Sequence, residues 1–419
     1  MTTDSLPLSP RLAALQRELG AGRADALEEF WREVATKGTP LVEPTDDGDD
    51  SHVLVTFLWR AEGETRNVVV FGGFHYYWDF ARNGMARLLD TDVWYKTERS
   101  PADVRAWYRL SPNDSLQPST DWAARTAAFI PDPLNPRRYV VAGSADNPVA
   151  PRDEVWSVVE LPRTPPQPWV QRRPNVPAGR VAAHRMHSAI LDNDRSVWVY
   201  TPPGYDPSGA PYALLILFDG FIYTHVIPTP TVLDNLLAEG RIPPVIAVMV
   251  NSPDSEARLR ELSCYPPLVD FLADELLPWV RQHYHVTVQP SRAVVGGSSL
   301  GGLTAAFAAL RRPDLFGNVL SQSGSYWRPP PGDAEPHWLA RQFEAAPRLP
   351  LRFYLDVGVL ESEGQRRAND YMRDVLQGKG YPVRYTEFPG GHTFLCWQGT
   401  LSDGLLALLG RDWGSPVPR

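Results

Sequence analysis

The segment 294–302 constrains the fold of this chain more than any other and reads VVGGSSLGG. Apolar β-branched residues precede a Gly-x-Ser-x-Gly corner and an alanine-rich stretch, 303–310, follows it, which predicts a buried strand, a sharp turn and a helix. Ser299 stands at the corner between Gly297 and Gly301. We expect glycine at both positions because side chains there would collide with the neighbouring strand and helix. The segment therefore predicts a nucleophile elbow.

The composition limits the classes of protein to which the chain can belong. A length of 419 residues predicts two domains, and 43% hydrophobic with 21% charged residues is typical of globular proteins. No apolar run approaches the roughly 18 residues of a membrane span, and we expect no secretory signal. Two cysteines, Cys264 and Cys396, predict no disulfide framework and favour the cytoplasm. A formal charge of −8 argues against nucleic-acid or anionic-membrane partners.

The first part of the chain reads as an all-β domain that follows helical segments. Helical periodicity covers the first forty residues, and short, aromatic-rich extended runs follow at 53–59, 67–72 and 105–110. Their alternation favours an antiparallel sandwich. We therefore predict an N-terminal helix plus β-sandwich domain over residues 1–150 and a proline-rich connector over 151–180.

The remainder, residues 181–419, alternates apolar strands with helices. Continuous Val/Ile/Leu runs separated by helical segments predict a mostly parallel sheet covered by helices on both faces. Together with the predicted nucleophile elbow, this favours the α/β-hydrolase class. After a hairpin that ends near residue 201, the predicted strands are 213–218, 245–250, 293–296, 318–321, 351–357 and 383–388.

A serine hydroxyl becomes a useful nucleophile when a base removes its proton. In α/β hydrolases the order along the chain is serine, acid, histidine, so the base lies downstream of Ser299. Two histidines do, His337 and His392. His392 follows the last predicted strand, where the fold places its base, and two glycines precede it. We therefore predict His392 as the base.

The acid of the triad belongs in the loop after the strand 351–357. Glu361 lies beyond the strand end, from where a loop can turn toward His392. Asp356 lies within the strand, and Glu363 is a further alternative. We favour Glu361, which would hold the imidazole tautomer and stabilise the imidazolium.

An oxyanion hole needs two backbone donors. Leu300 N–H is the first, and Phe221 N–H, in the turn after the strand 213–218, is the expected second. The same glycine-rich corner cannot be a P-loop, since no Lys-Ser/Thr follows. The histidine pairs lack nearby carboxylates and indicate structural roles, so we predict neither a metal nor a cofactor; the pairs are His184/His187 and His283/His285.

Several longer runs resemble the enterochelin esterases, in the esterase D branch of the α/β hydrolases. In the second domain the similar runs are 218–220, 258–264, 297–302, 320–327, 390–392 and 395–399. In the first domain, 91–94 and 131–136 are similar to the family's N-terminal, carbohydrate-module-like sandwich. The resemblance covers most of the chain and is weakest over 1–45 and 145–180.

The resemblance implies a cytoplasmic esterase that opens the tri-serine lactone of ferric enterobactin or a related catecholate siderophore so that iron is released. Such a substrate is a bulky trianion, for which arginine forks and aromatic faces are suitable. The expected contacts are Arg258, Arg260, Trp94, Tyr326, Trp327 and Trp397, with Trp94 placing the first domain over the site as a lid. Thr393 and Gln398 depart from the acidic residue and arginine usual in the family, which is consistent with a different siderophore or with a relaxed substrate range.

Two other classes of function stay open. One is another carboxylic-ester hydrolase, of the feruloyl or acetyl type, or an acyltransferase, since the triad serves both reactions. The other is a sugar-binding protein with an inert hydrolase fold, against which the complete candidate triad argues. The sequence leaves the oligomeric state open.

Overall fold

The computed structural model describes residues 8–72, 82–116 and 126–410. The chain divides into two compact units. The first consists of Met1–Val141, Glu154–Pro165 and Pro389–Thr393, and the second of Ala142–Asp153, Pro166–Phe388 and Phe394–Arg419. None of the helices within the described ranges is long and apolar enough to cross a bilayer.

The first unit begins with two amphipathic helices, α1 (Pro10–Gly20) and α2 (Ala26–Lys37). Ser9 caps α1, since its Oγ accepts a hydrogen bond from the N–H of Leu12 at 3.4 Å. The buried faces of both helices join an apolar cluster that includes Phe30. The helical periodicity of the first forty residues is therefore confirmed.

Two four-stranded antiparallel sheets follow. The first has the order β1-β2-β5-β4 and the second β3-β6-β8-β7. The rings of Phe57 and Tyr108, one from each sheet, meet edge to face at 4.8 Å between centroids. The strands are β1 (Leu41–Pro44), β2 (His52–Arg60), β3 (Val68–Gly72), β4 (Ala86–Arg87), β5 (Val93–Pro101), β6 (Arg105–Pro112), β7 (Arg138–Val141) and β8 (Glu154–Glu160). Strand β8 lies inside the connector predicted over 151–180.

The second unit is built on an eight-stranded sheet with the order β16-β15-β14-β13-β11-β12-β10-β9. Strand β10 pairs antiparallel with β9 and β12, and the other pairs are parallel. The strands are β9 (Arg180–Ser188), β10 (Asn193–Thr201), β11 (Ala213–Phe218), β12 (Val245–Val250), β13 (Ala293–Ser298), β14 (Asn318–Gln322), β15 (Arg352–Gly358) and β16 (Val383–Phe388).

Helices connect these strands and bury the sheet in a common core. The predicted α/β-hydrolase class is confirmed. The predicted helix near 268–283 contains a π-helical turn, Phe271–Leu276, between α5 and α6. The helices are α3 (Thr229–Ala238), α4 (Ser255–Glu261), α5 (Pro266–Asp270), α6 (Leu277–His283), α7 (Leu300–Arg311), α8 (Trp338–Ala345), α9 (Glu363–Gly378) and α10 (Phe394–Leu409).

Candidate active site

Ser299 forms the corner between β13 and α7. Its backbone is left-handed, with φ 57° and ψ −116°, a conformation that costs a non-glycine residue on the order of 1–3 kcal/mol. The corner is held by a hydrogen bond from Ser299 N–H to the carbonyl oxygen of Gln322, at 2.8 Å. The carbonyl oxygen of Ser299 in turn accepts from Leu303 N–H and Ser325 N–H, at 3.1 and 3.0 Å.

The two glycines of the motif differ in their surroundings. A Cβ on Gly297 would lie 2.9 Å from the backbone Cα and carbonyl carbon of Gly301, a distance that real Cβ atoms do not tolerate. A Cβ on Gly301 would lie 3.4 Å from the Cβ of Phe218, which is an ordinary contact. The steric reason for glycine therefore holds at Gly297, and the same expectation was wrong for Gly301.

The hydroxyl of Ser299 has a second hydroxyl beside it. Its Oγ lies 3.2 Å from the Oγ of buried Ser325, within hydrogen-bonding range. Leu300 is the first residue of α7, so its N–H has no acceptor inside the helix and stays available to an anion at the helix N-terminus. This position agrees with the oxyanion role predicted for Leu300, which stays a prediction.

The predicted acid is close to buried polar partners. Glu361 is almost fully buried, and its Oε1 accepts hydrogen bonds from Ser323 Oγ–H at 2.5 Å and from Gly358 N–H at 2.8 Å. Trp397 Nε1–H donates to the same Ser323 Oγ, at 3.0 Å. Glu361 therefore lies in a hydrogen-bonded chain that fixes its carboxylate.

The alternative acids are in different environments. Burial raises the pKa of Asp356 well above its usual range; a hydrogen bond from Thr400 opposes this shift and the charge of Glu361 adds to it. A carboxyl group whose ionised form is disfavoured stabilises an imidazolium poorly, so Asp356 is less suited to the role. Glu363 is exposed and pairs with Arg367. The assignment of Glu361 stays a prediction, now with two local observations in its favour.

His392 lies in the loop between β16 and α10, after the last strand of the sheet, as its assignment requires. This loop, Pro389–Thr393, belongs to the first unit. There the N–H of Arg105 donates to the carbonyl oxygen of Pro389 at 2.9 Å. The pairing of His392 with Ser299 stays a prediction. His337 occupies the N-cap position of α8, with its ring against Tyr371.

The turn after β11 is tethered in two ways that the sequence did not indicate. Asp219 is buried with φ 55°, and its carboxylate receives both fork nitrogens of Arg258, Nε to Oδ1 at 2.6 Å and Nη2 to Oδ2 at 2.7 Å. Phe221 N–H donates to Asn251 Oδ1 at 3.1 Å. This predicted oxyanion donor is therefore engaged in the structure and can serve an oxyanion only by exchanging that bond.

The predicted substrate contacts separate by exposure. Trp327 has 49% of its residue surface exposed, and Arg260 has 46% of its side-chain surface exposed. Tyr326 is fully buried in the core and its hydroxyl donates to Ser321 Oγ at 2.7 Å, which argues against the stacking role expected for it. Trp397 and Trp94 are also buried, which argues against both as open stacking faces.

The structure places the histidine pairs on strand β9 and at the end of α6. His184 Nε2 contacts the hydroxyl of Tyr284 at 2.8 Å. His187 Nδ1 contacts Asp194 Oδ1 at 3.0 Å, so the expectation that this pair lacks a nearby carboxylate was wrong. Within residues 8–72, 82–116 and 126–410, no group of three or more His, Cys, Asp or Glu side chains is arranged to hold a metal ion.

Sequence reasoning missed four residues of the site: Asp219, Asn251, Ser323 and Ser325. Both serines lie in the Ser-Gln-Ser-Gly-Ser run that carried the family resemblance, so that run was the available signal. Asp219 lies in the run 218–220, which also carried the resemblance, but the sequence analysis assigned it no role of its own. Its left-handed φ and its arginine partner are properties of the tertiary structure.

Comparison with known proteins covers both units. The Esterase family matches residues 188–408, and the family described as enterochelin esterase, N-terminal, matches residues 54–170. The iron(III) enterobactin esterase of Dickeya dadantii is 31% identical, over 92% of this chain and 93% of the relative. The iron(III) salmochelin esterase of Escherichia coli is 29% identical, over 95% and 98%.

A solved structure agrees with these sequence matches. The enterobactin esterase of Shigella flexneri, crystallised in the presence of enterobactin, superposes with a TM-score of 0.73 and 29% identity, covering 91% of this chain and 97% of that one. The family resemblance seen in the sequence is thereby confirmed. The chain belongs to the enterochelin esterase family of α/β hydrolases.

Proposed function

We propose that this protein hydrolyses the serine-ester bonds of the tri-serine lactone in ferric enterobactin or a related catecholate siderophore. The proposal rests on the strained Ser299 at the first turn of α7. The chain around it matches an esterase family over 188–408, the enterochelin esterase N-terminal family over 54–170, and an iron(III) enterobactin esterase over 92% of its length. Relatives that act on iron(III) enterobactin and iron(III) salmochelin support the substrate class. The chain has only two cysteines, Cys264 and Cys396, and both are buried, which fits a reducing compartment, so we expect the activity in the cytoplasm.

In the proposed mechanism His392 removes the proton of Ser299 Oγ as that oxygen attacks the ester carbonyl. Leu300 N–H and an amide of the turn after β11 stabilise the oxyanion. Glu361, fixed by Ser323, keeps the imidazole oriented and stabilises it when charged. His392 then protonates the leaving hydroxyl, and water releases the acyl group by the reverse steps.

A ferric tris-catecholate carries three negative charges, whereas the protein itself has a formal charge of −8. Recognition therefore needs locally gathered cations and flat aromatic faces. Arg260 and Trp327 are the accessible members of the predicted set, and we rank them first as substrate contacts. Thr393 and Gln398 carry no charge, and Gln398 Nε2–H donates to Gln167 Oε1 at 2.8 Å.

The decisive experiment is a mass-spectrometric time course on ferric and iron-free enterobactin. Wild type should release linear and then monomeric dihydroxybenzoylserine, and Ser299→Ala should lose on the order of 10⁶ in kcat. Ser208→Ala, at an exposed serine of the same unit that hydrogen-bonds Asp206, is the matched control and should keep wild-type turnover.

Two outcomes would contradict the proposal. Near-native turnover by Ser299→Ala would exclude Ser299 as the nucleophile. Rapid cleavage of feruloyl or acetyl esters by wild type, with intact enterobactin at the end of the course, would favour the alternative ester hydrolase.

A further inference from the structure

The turn that follows β11 is held in a strained conformation. Asp219 has φ 55° and is 3% exposed. Aspartate tolerates the left-handed region better than most residues, yet it adopts it at a cost that the surrounding structure must offset. Gly220 comes next, and a Cβ there would lie 2.5 Å from the carbonyl oxygen of Met249. The turn therefore fits against the end of β12 with no space for adjustment.

Arg258 supplies the offsetting interaction. Its two hydrogen bonds to Asp219 are charge-assisted and bidentate, the strong arrangement for an arginine–carboxylate pair. Burial acts to lower the pKa of Arg258, but the charge and hydrogen bonds of Asp219 together outweigh it, so the pKa of Arg258 is raised. Because 19% of the Arg258 side chain is exposed, the side chain contacts the protein more than it contacts solvent.

The helix that carries Arg258 is itself fixed. Asp254 caps α4, its Oδ1 accepting from Ala257 N–H at 2.8 Å. At the other end of α4, buried Glu261 forms a two-bond ion pair with buried Arg195, with both distances 3.1 Å. Arg258 therefore reaches Asp219 from a rigid support.

A second tether holds the far side of the same turn. Phe221 N–H donates to Asn251 Oδ1, and Asn251 Nδ2–H donates to the carbonyl oxygens of Asp146 and Ser252, at 2.6 and 3.0 Å. The side chain of Asn251 is thus locked by three bonds. Both ends of the turn are positioned before any substrate binds.

We propose that Arg258 is a positioning residue, which fixes the oxyanion turn through Asp219, rather than a contact that recognises the siderophore's charge. The inference rests on the proposed esterase function, because the turn after β11 is the predicted source of the second oxyanion donor. Displacing such a donor costs about 10²–10³ in kcat. Since the oxyanion forms in every ester, the loss should not depend on the charge of the substrate.

The test compares two substrates, a neutral chromogenic acetate ester and ferric enterobactin. We expect Arg258→Ala to lower kcat by about 10²-fold on both, with small changes in KM. Arg258→Lys, which keeps the charge but not the fork, should recover part of the loss. Asp219→Asn should resemble Arg258→Ala, and the double variant should be no worse than the poorer single variant, because both act through one interaction.

Arg312→Ala is the matched control. Arg312 makes an equally bidentate pair with Asp314, at 2.9 and 2.7 Å, beyond the C-terminal end of α7 and so about 18 Å from Ser299 along a 12-residue helix. It should keep wild-type kcat on both substrates. If Arg258→Ala does not fold, as judged by urea unfolding, Arg258→Lys carries the same comparison.

The outcomes separate this inference from the proposed function. Loss confined to ferric enterobactin, or expressed in KM alone, would overturn the inference and make Arg258 a substrate contact. Wild type that cleaves the acetate ester but leaves enterobactin intact would overturn the proposed substrate. In that case, equal loss of acetate-ester turnover in Arg258→Ala and Asp219→Asn would still support positioning.

Discussion

Substitution of the first motif glycine tests whether the elbow is as tight as the structure shows. In Gly297→Ala the new Cβ would lie 2.9 Å from Cα and the carbonyl carbon of Gly301 and 3.1 Å from its oxygen. All three are backbone atoms, so no side-chain rotation can relieve the overlap. The start of α7 must move, and Ser299 lies between the two colliding residues.

The expected magnitudes follow from that geometry. Overpacking of a filled site costs about 1–3 kcal/mol of unfolding free energy. A displacement approaching 1 Å at a reacting group can reduce turnover by about 10²-fold. We therefore expect Gly297→Ala to fold with reduced stability and to lose kcat disproportionately on a chromogenic acetate ester.

Gly301→Ala is the control within the same motif. Its Cβ would meet Phe218 at an ordinary 3.4 Å, and alanine in place of glycine inside a helix is favourable by up to about 1 kcal/mol. Its urea midpoint should match or exceed that of wild type, and its kcat should stay within about threefold, an estimate based on the absence of steric displacement. Wild-type kcat in Gly297→Ala, or equal losses in both variants, would refute the steric account of the elbow.

Three further predictions use other parts of the second unit. Glu361→Gln should lower kcat by about 10⁴-fold, while Glu363→Gln, at an exposed ion pair, should leave it unchanged; equal effects would exclude Glu361 as the acid. Arg195→Met should lower the free energy of unfolding in urea by about 3–5 kcal/mol, because it leaves the buried carboxylate of Glu261 without its ion-pair partner. Adding Glu261→Leu should restore most of that stability. A double variant that is less stable than Arg195→Met would contradict this. Burial raises the pKa of Asp403 to about 6, so ionisation of this carboxyl group destabilises the folded protein as pH rises from about 4 through 6. Asp403→Asn should therefore raise the urea midpoint at pH 8 but not at pH 4. A change in midpoint that does not depend on pH would count against this role of Asp403.

The sequence predicted the parallel sheet well because strands buried on both faces read as continuous apolar runs. The bounds expected at 213–218, 245–250 and 383–388 are those observed. Helix α3 was not predicted, although Pro228 and Pro230 stand at its start, where proline is well tolerated. Strand β8 was missed because prolines flank it on the C-terminal side, which made the whole stretch read as a connector.

The candidate site shows a different limit. The order Ser299, Glu361, His392 along the chain could be predicted because it follows from the order of strands in the sheet. The partners of charged side chains could not, since Asp219 and Arg258 are 39 residues apart and meet only in the folded chain. From the sequence alone, we therefore predicted Arg258 as a cation that contacts an anionic substrate.

An arginine offers its charge to a ligand to the extent that no carboxylate of the protein already holds it. Arg258 is held by a fork with both distances below 2.8 Å, whereas Arg260 is 3.8 Å from the nearest oxygen of Glu261 and is the more exposed of the two. Desolvating Arg258 toward a siderophore would also require the turn after β11 to lose its support. We therefore rank the arginines as substrate contacts by their exposure and by whether a carboxylate of the protein already binds them, more than by their position in the motif. By both measures Arg260 is the better candidate than Arg258.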